Sequence, residues 1–108
     1  MAQKYDVVLD GQLGERRGTL VFTENHGCVH GIFSLLGFDN PVSGEKQGPH
    51  LKLTHKLRTV FSTLICQTIA EFHGDELSGV VISGSGRFSL HGKKQQKGSQ
   101  NDEISEQD

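Results

Sequence analysis

The stretch "EFHGDELSGVVISGSGRFSLHGKK", residues 71–94, carries two runs typical of β-strands and five glycines in twenty-four positions. The runs "LSGVVIS" and "RFSLHG" flank a glycine-bearing turn, which predicts a β-hairpin. Glycine weakens a strand unless the backbone bends sharply there or a neighbouring strand comes very close. A sheet that closes on itself needs such bends. The stretch therefore predicts strongly curved antiparallel strands.

The rest of the chain repeats this pattern of short alternating runs between turns that contain Gly, Asn, Asp or Pro. "HLKLTHKLR", residues 50–58, alternates most cleanly, with Leu53 and His55 on one face and Lys52 and Thr54 on the other. A chain of 108 residues corresponds to one domain. We therefore predict an all-β fold, a small antiparallel meander β-barrel of about seven or eight strands that spans residues 1–92.

Three segments depart from the strand pattern. Residues 59–72 also space their apolar side chains as a helix does, so we predict a turn or a short helical segment near 59–64 and a strand from about 65 onward. Residues 38–49 hold both prolines of the chain, which predicts a short strand at 40–43 and a rim loop at 44–49. Residues 93–108 contain a single aliphatic residue, which predicts a disordered polar tail.

The phrases "FHGDELSG" and "FTENHGCVHG" resemble, in architecture, the hairpins of small up-and-down β-barrels such as the calycins. The Gly-x-Trp motif that begins many lipocalins is absent, because the chain has no tryptophan. The resemblance implies a calycin-like barrel and assigns no family.

Composition excludes several classes of function. The net charge is −2 and the cations form no basic stretch, so no nucleic-acid partner is predicted. No apolar run approaches the length of a membrane span or a secretory signal, so we expect a cytoplasmic protein with no membrane partner. The two cysteines are predicted to be buried or partly buried thiols, with a Cys28–Cys66 disulfide as the alternative. No cofactor is predicted.

Histidines and one cysteine are the candidate metal ligands. Of the six histidines, His30, His55 and His91 fall on separate predicted strands and His26, His50 and His73 fall in predicted turns, so no two share one face of one element. In "HGCVH", Cys28 stands between His26 and His30, an arrangement that could bind a soft metal or stabilise a thiolate. Because no third partner is identifiable, no metal site is predicted.

The favoured hypothesis is a non-enzymatic binding module for a small, partly apolar ligand at the barrel mouth. His55 shares its face with leucines, so it either bonds another buried polar group or faces that ligand. The residues predicted to line the mouth are Phe33, Leu35, Phe38, Leu53, His55 and Phe61.

Two alternatives stay open. The first is a homo-oligomeric structural or interaction module that buries a second apolar face, formed by Ile32, Leu36, Ile65, Ile69, Val80 and Ile82. The second is a small barrel enzyme of isomerase or hydrolase type.

Overall fold

The computed structural model describes residues 2–11, 14–84 and 86–95. Each strand pairs antiparallel with the next in the chain, and β8 pairs with β1 to close a barrel, so the predicted small antiparallel meander barrel is confirmed. None of the residues in these ranges belongs to a helix long and apolar enough to cross a membrane. The strands are β1 (Gln3–Gly11), β2 (Gly14–Asn25), β3 (Cys28–Leu35), β4 (Phe38–Gln47), β5 (His50–Arg58), β6 (Thr63–His73), β7 (Glu76–Ser83) and β8 (Gly86–Lys94).

Alternate residues of each strand point into the barrel because successive side chains of a strand face opposite sides. β5 displays this most regularly: Leu51, Leu53, His55 and Leu57 are buried and the residues between them are exposed. The buried side chains of all eight strands form one apolar core, which also contains three polar residues, Asn40, His55 and Thr68.

An aromatic cluster fills the end of the barrel where the chain enters. The ring centroids of Tyr5 and Phe72 lie 5.5 Å apart, and those of Tyr5 and Phe22 lie 6.0 Å apart. The Lys46 ammonium lies 5.3 Å from the centre of the Phe72 ring, within the range of a cation–π contact. Burial, with Asp75 adding to it, raises the pKa of Tyr5. We call this end the Tyr5 end, and the opposite end, which carries the β5–β6 connection, the Phe61 end.

Two glycines occupy inward positions where the neighbouring strand leaves no room for a Cβ. Gly31 lies between the buried Val29 and Phe33, and a Cβ at Gly31 would overlap the carbonyl oxygen of Val21 on β2. A Cβ at Gly79 would overlap the Ile69 carbonyl oxygen in the same way. The glycines of residues 71–94 therefore include one whose missing side chain lets β6 and β7 approach, as strong curvature requires.

Of the two alternatives predicted near 59–64, the turn is confirmed and the short helical segment is wrong. Residues 59–62 form a turn and β6 begins at Thr63. The Thr59 amide donates to the Ser62 carbonyl at 2.7 Å, and Thr59 Oγ1 accepts from the Ser62 amide at 2.9 Å. Four residues closed in this way connect two antiparallel strands without a helix.

The predicted rim loop at 44–49 is also wrong, because β4 continues to Gln47. Proline lacks the N–H that a ladder needs. Here the β4–β5 ladder begins at Val42, just after Pro41. Before Pro41, the side chain of Asn40 takes the place of the ladder, because its Oδ1 accepts a hydrogen bond from the Arg58 amide at 3.0 Å. Closure of the barrel thus makes a strand of a segment whose composition favours a loop.

β8 ends at Lys94, two residues beyond the predicted domain boundary at 92. The Lys94 amide donates to the Asp75 carbonyl at 2.8 Å, and the Gln95 amide donates to the Lys4 carbonyl at 2.9 Å. The remainder of the predicted polar tail, residues 96–108, lies outside the described residues.

Candidate functional site

Four of the six residues predicted to line a barrel mouth are buried in the barrel core. Leu53 is fully buried, Phe33, Leu35 and His55 are buried, and Phe38 is partly buried. Phe61 does not join them: it lies in the turn after β5 with 95% of its surface exposed. The four buried residues are packed side chains of the barrel interior, and ligand binding by the predicted set stays a prediction.

His55 is held inside the barrel by two hydrogen bonds and a ring contact. Its Nδ1 lies 3.2 Å from the Lys56 carbonyl oxygen, which only accepts, so Nδ1 carries the proton. Its Nε2 then accepts from the Thr68 hydroxyl at 2.7 Å. The Phe33 ring lies 5.6 Å from the imidazole, centre to centre. Both ring nitrogens of His55 are therefore hydrogen-bonded to the protein. Of the two roles predicted for His55, bonding to another buried polar group is the one that the structure contains.

Burial lowers the pKa of His55 below its ordinary value of 6.5, and the Lys56 carbonyl opposes this. As the pH falls, His55 of the unfolded chain therefore binds a proton near pH 6.5, whereas His55 of the folded chain binds one only at a lower pH. We expect the stability that neutral His55 provides to be complete above pH 6.5 and to fall below it, by at most about 1.4 kcal/mol per pH unit.

Urea unfolding at pH 7.5, 6.5 and 5.5 measures this dependence. A His55→Gln variant lacks the titrating group, so its stability should decline less over that range than the stability of the parent protein. Equal declines in the two proteins would contradict the assignment to His55.

Asn40 completes the polar part of the core. Its Nδ2 donates to the Phe33 carbonyl at 3.0 Å, while its Oδ1 accepts from Arg58 as described above. Buried polar groups are stabilising only when they are hydrogen-bonded. The side chains of Asn40, His55 and Thr68 are all hydrogen-bonded, either to one another or to the backbone. The polar core thus stabilises the fold.

The "HGCVH" residues do not form a binding cluster. Cys28 is exposed, which corrects the prediction of a buried or partly buried thiol, and Cys66 is buried with its pKa raised by burial. Both cysteines are free thiols, so the alternative disulfide is absent. In the part of the chain that the structure describes, no three His, Cys, Asp or Glu residues converge as metal ligands.

A recess of about 530 Å³ lies on the outside of the barrel, across β4 to β7 toward the Tyr5 end. We call it the outer recess. Its lining combines apolar residues (Leu51, Ile69, Ala70, Gly79 and Val80) with polar ones (Glu45, Gln47, His50, Lys52, Glu71 and Ser78). Small-molecule sites commonly have this size and this mixture of an apolar surface with a few polar groups.

The strand register places the apolar walls of the outer recess. Ile69 pairs with Val80 across β6 and β7, so their outward side chains stand side by side. The next pair, Ala70 and Gly79, faces the barrel interior, and Ala70 is buried in the core. The apolar part of the outer surface here therefore comes from the side chains of Ile69 and Val80.

Glu71 links two histidines at one edge of the outer recess. Its Oε2 lies 3.2 Å from His50 Nδ1, and its Oε1 lies 3.3 Å from His73 Nε2. All three side chains are about half exposed or more, at 47% for Glu71, 66% for His50 and 65% for His73. The edge of the recess therefore offers hydrogen-bonding groups to the polar part of a ligand.

Apolar side chains continue from the outer recess to the Phe61 end. Ile65 is 73% exposed on the outside of β6, and the turn beyond it presents Val60 at 81% and Phe61 at 95%. We call the band formed by Val60, Phe61, Ile65, Ile69, Val80 and Ile82 the β6 band. Exposed apolar patches of this extent mark interaction surfaces.

The β6 band contains four of the six residues of the predicted second apolar face. Ile32 lies apart from it on β3, and Leu36 lies in the turn before β4. Alternation within β6 and β7 was sufficient to find the four aliphatic residues. It could not find His50, Glu71 or the depth of the outer recess, because these depend on which residues pair across strands.

No family description and no curated protein matches the chain. Among solved structures, the chain is similar to a redesigned β-barrel, mFAP1, in a structure bound to DFHBI. The TM-score is 0.64 at 11% sequence identity, and the match covers 86% of this chain and 92% of that one. The likeness supports the barrel fold.

Proposed function

We propose that this chain is a non-enzymatic binding module and that its site for a small, partly apolar ligand is the outer recess. The observation that carries the proposal is the combination of about 530 Å³ of space, the apolar walls Ile69 and Val80, and polar groups at the edge. The likeness to mFAP1, a redesigned barrel bound to DFHBI, supports the idea that a barrel of this shape can bind a small molecule.

The inside of the barrel supports the proposal by elimination. Of the residues predicted to line a mouth, Phe33, Leu35, Leu53 and His55 are at most 5% exposed. A ligand among Phe33, Leu53 and His55 would have to displace packed side chains and break the bond from Thr68. A ligand in the outer recess would not have to displace any of these packed core side chains.

A fluorescence titration with 8-anilinonaphthalene-1-sulfonate tests the proposal. The dye has apolar rings for the walls and a sulfonate that Lys52 at the edge can attract. The titration uses a Phe61→Ser background, because the exposed Phe61 could itself bind the dye. Ile69→Ser and Val80→Ser should each weaken saturable binding about tenfold, since each removes an apolar wall.

The chain offers a closely matched control for this titration. Ile32 is 44% exposed and Ile69 is 45% exposed, yet Ile32 lies on β3 outside the outer recess. Ile32→Ser should leave dye binding unchanged. Equal weakening by Ile32→Ser and Ile69→Ser, or no saturable binding in any variant, would reject the proposed site.

A further inference from the structure

The β6 band has a protrusion at one end and a recess at the other. The protrusion is the turn with Val60 and Phe61, and its shape is fixed: Thr59 Oγ1 accepts hydrogen bonds from the amides of Phe61 at 3.2 Å and Ser62 at 2.9 Å. A turn held in this way loses little conformational entropy when it binds. An ordered turn that exposes a phenylalanine is therefore well suited to insert into an apolar recess.

The protrusion and the outer recess are symmetrically placed about Ile65. Phe61 precedes Ile65 by four residues, and Ile69, a wall of the recess, follows it by four. A two-fold axis through Ile65, perpendicular to β6, would lay β6 of one copy antiparallel on β6 of another. Each Phe61 would then lie over the outer recess of the other copy, as an interface made of the same patch on both subunits requires.

The apolar area of the β6 band fits a dimer. Given the exposures of Val60, Phe61, Ile65 and Ile69, the band presents on the order of 500 Å² of apolar surface per copy. A stable interface buries about 800 Å² per partner, of which roughly 60% is apolar. The band therefore supplies the apolar share of one such interface.

Charge is compatible with this arrangement. The outward residues of β6 from the protrusion to the recess are Thr63, Ile65, Gln67 and Ile69, and none of them is charged. The cations Lys56 and Arg58 stand beside this line on β5, where Lys56 pairs with Ile65. Two Lys56 side chains would approach each other near the axis, and their long stems can turn their ammonium groups toward water.

We propose that the outer recess is occupied by Phe61 of a second copy, in a two-fold dimer that packs the β6 bands of both chains together. The inference rests on the proposed function, because it names an occupant of the same recess. A small ligand and the second copy then compete for one site.

The experiment combines light scattering after size exclusion with a cross-link at the axis. Phe61→Ser removes an apolar side chain that is inserted twice in each dimer, so it should raise the dimer dissociation constant about 100-fold or more. The control Ile32→Ser also replaces an exposed apolar side chain with serine, but it lies outside the β6 band. It should change the dimer dissociation constant less than about twofold. Both residues are exposed, so neither variant should impair folding.

The cross-link uses Ile65→Cys with Cys28→Ser, which removes the exposed native thiol. A residue on a two-fold axis meets its own copy, so oxidised glutathione should convert Ile65→Cys to a covalent dimer, whereas Ile32→Cys in the same background should stay monomeric under denaturing electrophoresis. A wild-type monomer at all accessible concentrations, or equal cross-linking at both positions, would overturn the dimer. Saturable, recess-dependent dye binding by such a monomer would leave the proposed function intact.

Discussion

Gly31→Ala is expected to lower the free energy of unfolding by at least about 3 kcal/mol, or to prevent folding. The alanine Cβ would overlap the Val21 carbonyl oxygen and would lie 2.7 Å from the Phe22 Cα. Both groups belong to the backbone of β2, so no side chain can rotate to make room. Relief would require β2 and β3 to separate over the eight residue pairs that join them.

Urea unfolding followed by circular dichroism measures this loss, with Gly84→Ala as the control. Apart from its two chain neighbours, the described residues place no atom within 4 Å of the position a Cβ would take at Gly84, so the control should change stability by less than about 1 kcal/mol. A Gly31→Ala protein as stable as the control would show that the barrel does not need the close approach of β2 and β3.

Thr68→Val is expected to lower the free energy of unfolding by about 1–3 kcal/mol, although it hardly changes side-chain volume. Thr68 is fully buried and donates to His55 Nε2 at 2.7 Å. Valine would leave that nitrogen inside the core without a partner. The loss is therefore attributed to an unsatisfied acceptor and not to a cavity.

The double variant His55→Leu with Thr68→Val separates these explanations. Removing both members of the pair leaves no unpaired imidazole, so the double variant should be less destabilised than the sum of the single variants, by about 1–2 kcal/mol. Denaturant unfolding of the four proteins gives this coupling. Additive losses would contradict the account of His55 and Thr68 as one bonded pair.

The barrel could be predicted from sequence because alternation and glycine placement both depend on local chemistry. The pattern of "HLKLTHKLR" and the glycines within strands led to a closed antiparallel sheet, and the structure has one. The failure at 44–49 has a physical origin, since Gly44 and Pro49 favour a loop in isolation, whereas closure makes β4 continue through Gly44 to its end at Gln47.

The candidate site was harder to predict from the sequence than the barrel fold, because the site depends on contacts between residues that are distant in the chain. Apolar character suggested that Phe61 lines a pocket, yet its turn faces away from the barrel. His55 was correctly placed on an inward face, and only the register could reveal that Thr68 would be its partner. The outer recess depends on Ile69 and Val80 meeting across two strands, which the sequence does not indicate locally.

One measurement tests most directly whether binding occurs outside the barrel: a methyl NMR titration of the Phe61→Ser protein with 8-anilinonaphthalene-1-sulfonate. Aromatic rings shift nearby methyl resonances, and the chain has isoleucine, leucine and valine methyls on both sides of the barrel wall. The account predicts saturable shifts of Ile69 and Val80 with little change at Leu53 and Val81, which are fully buried. Larger shifts at Leu53 and Val81 would place the ligand inside the barrel and contradict the account.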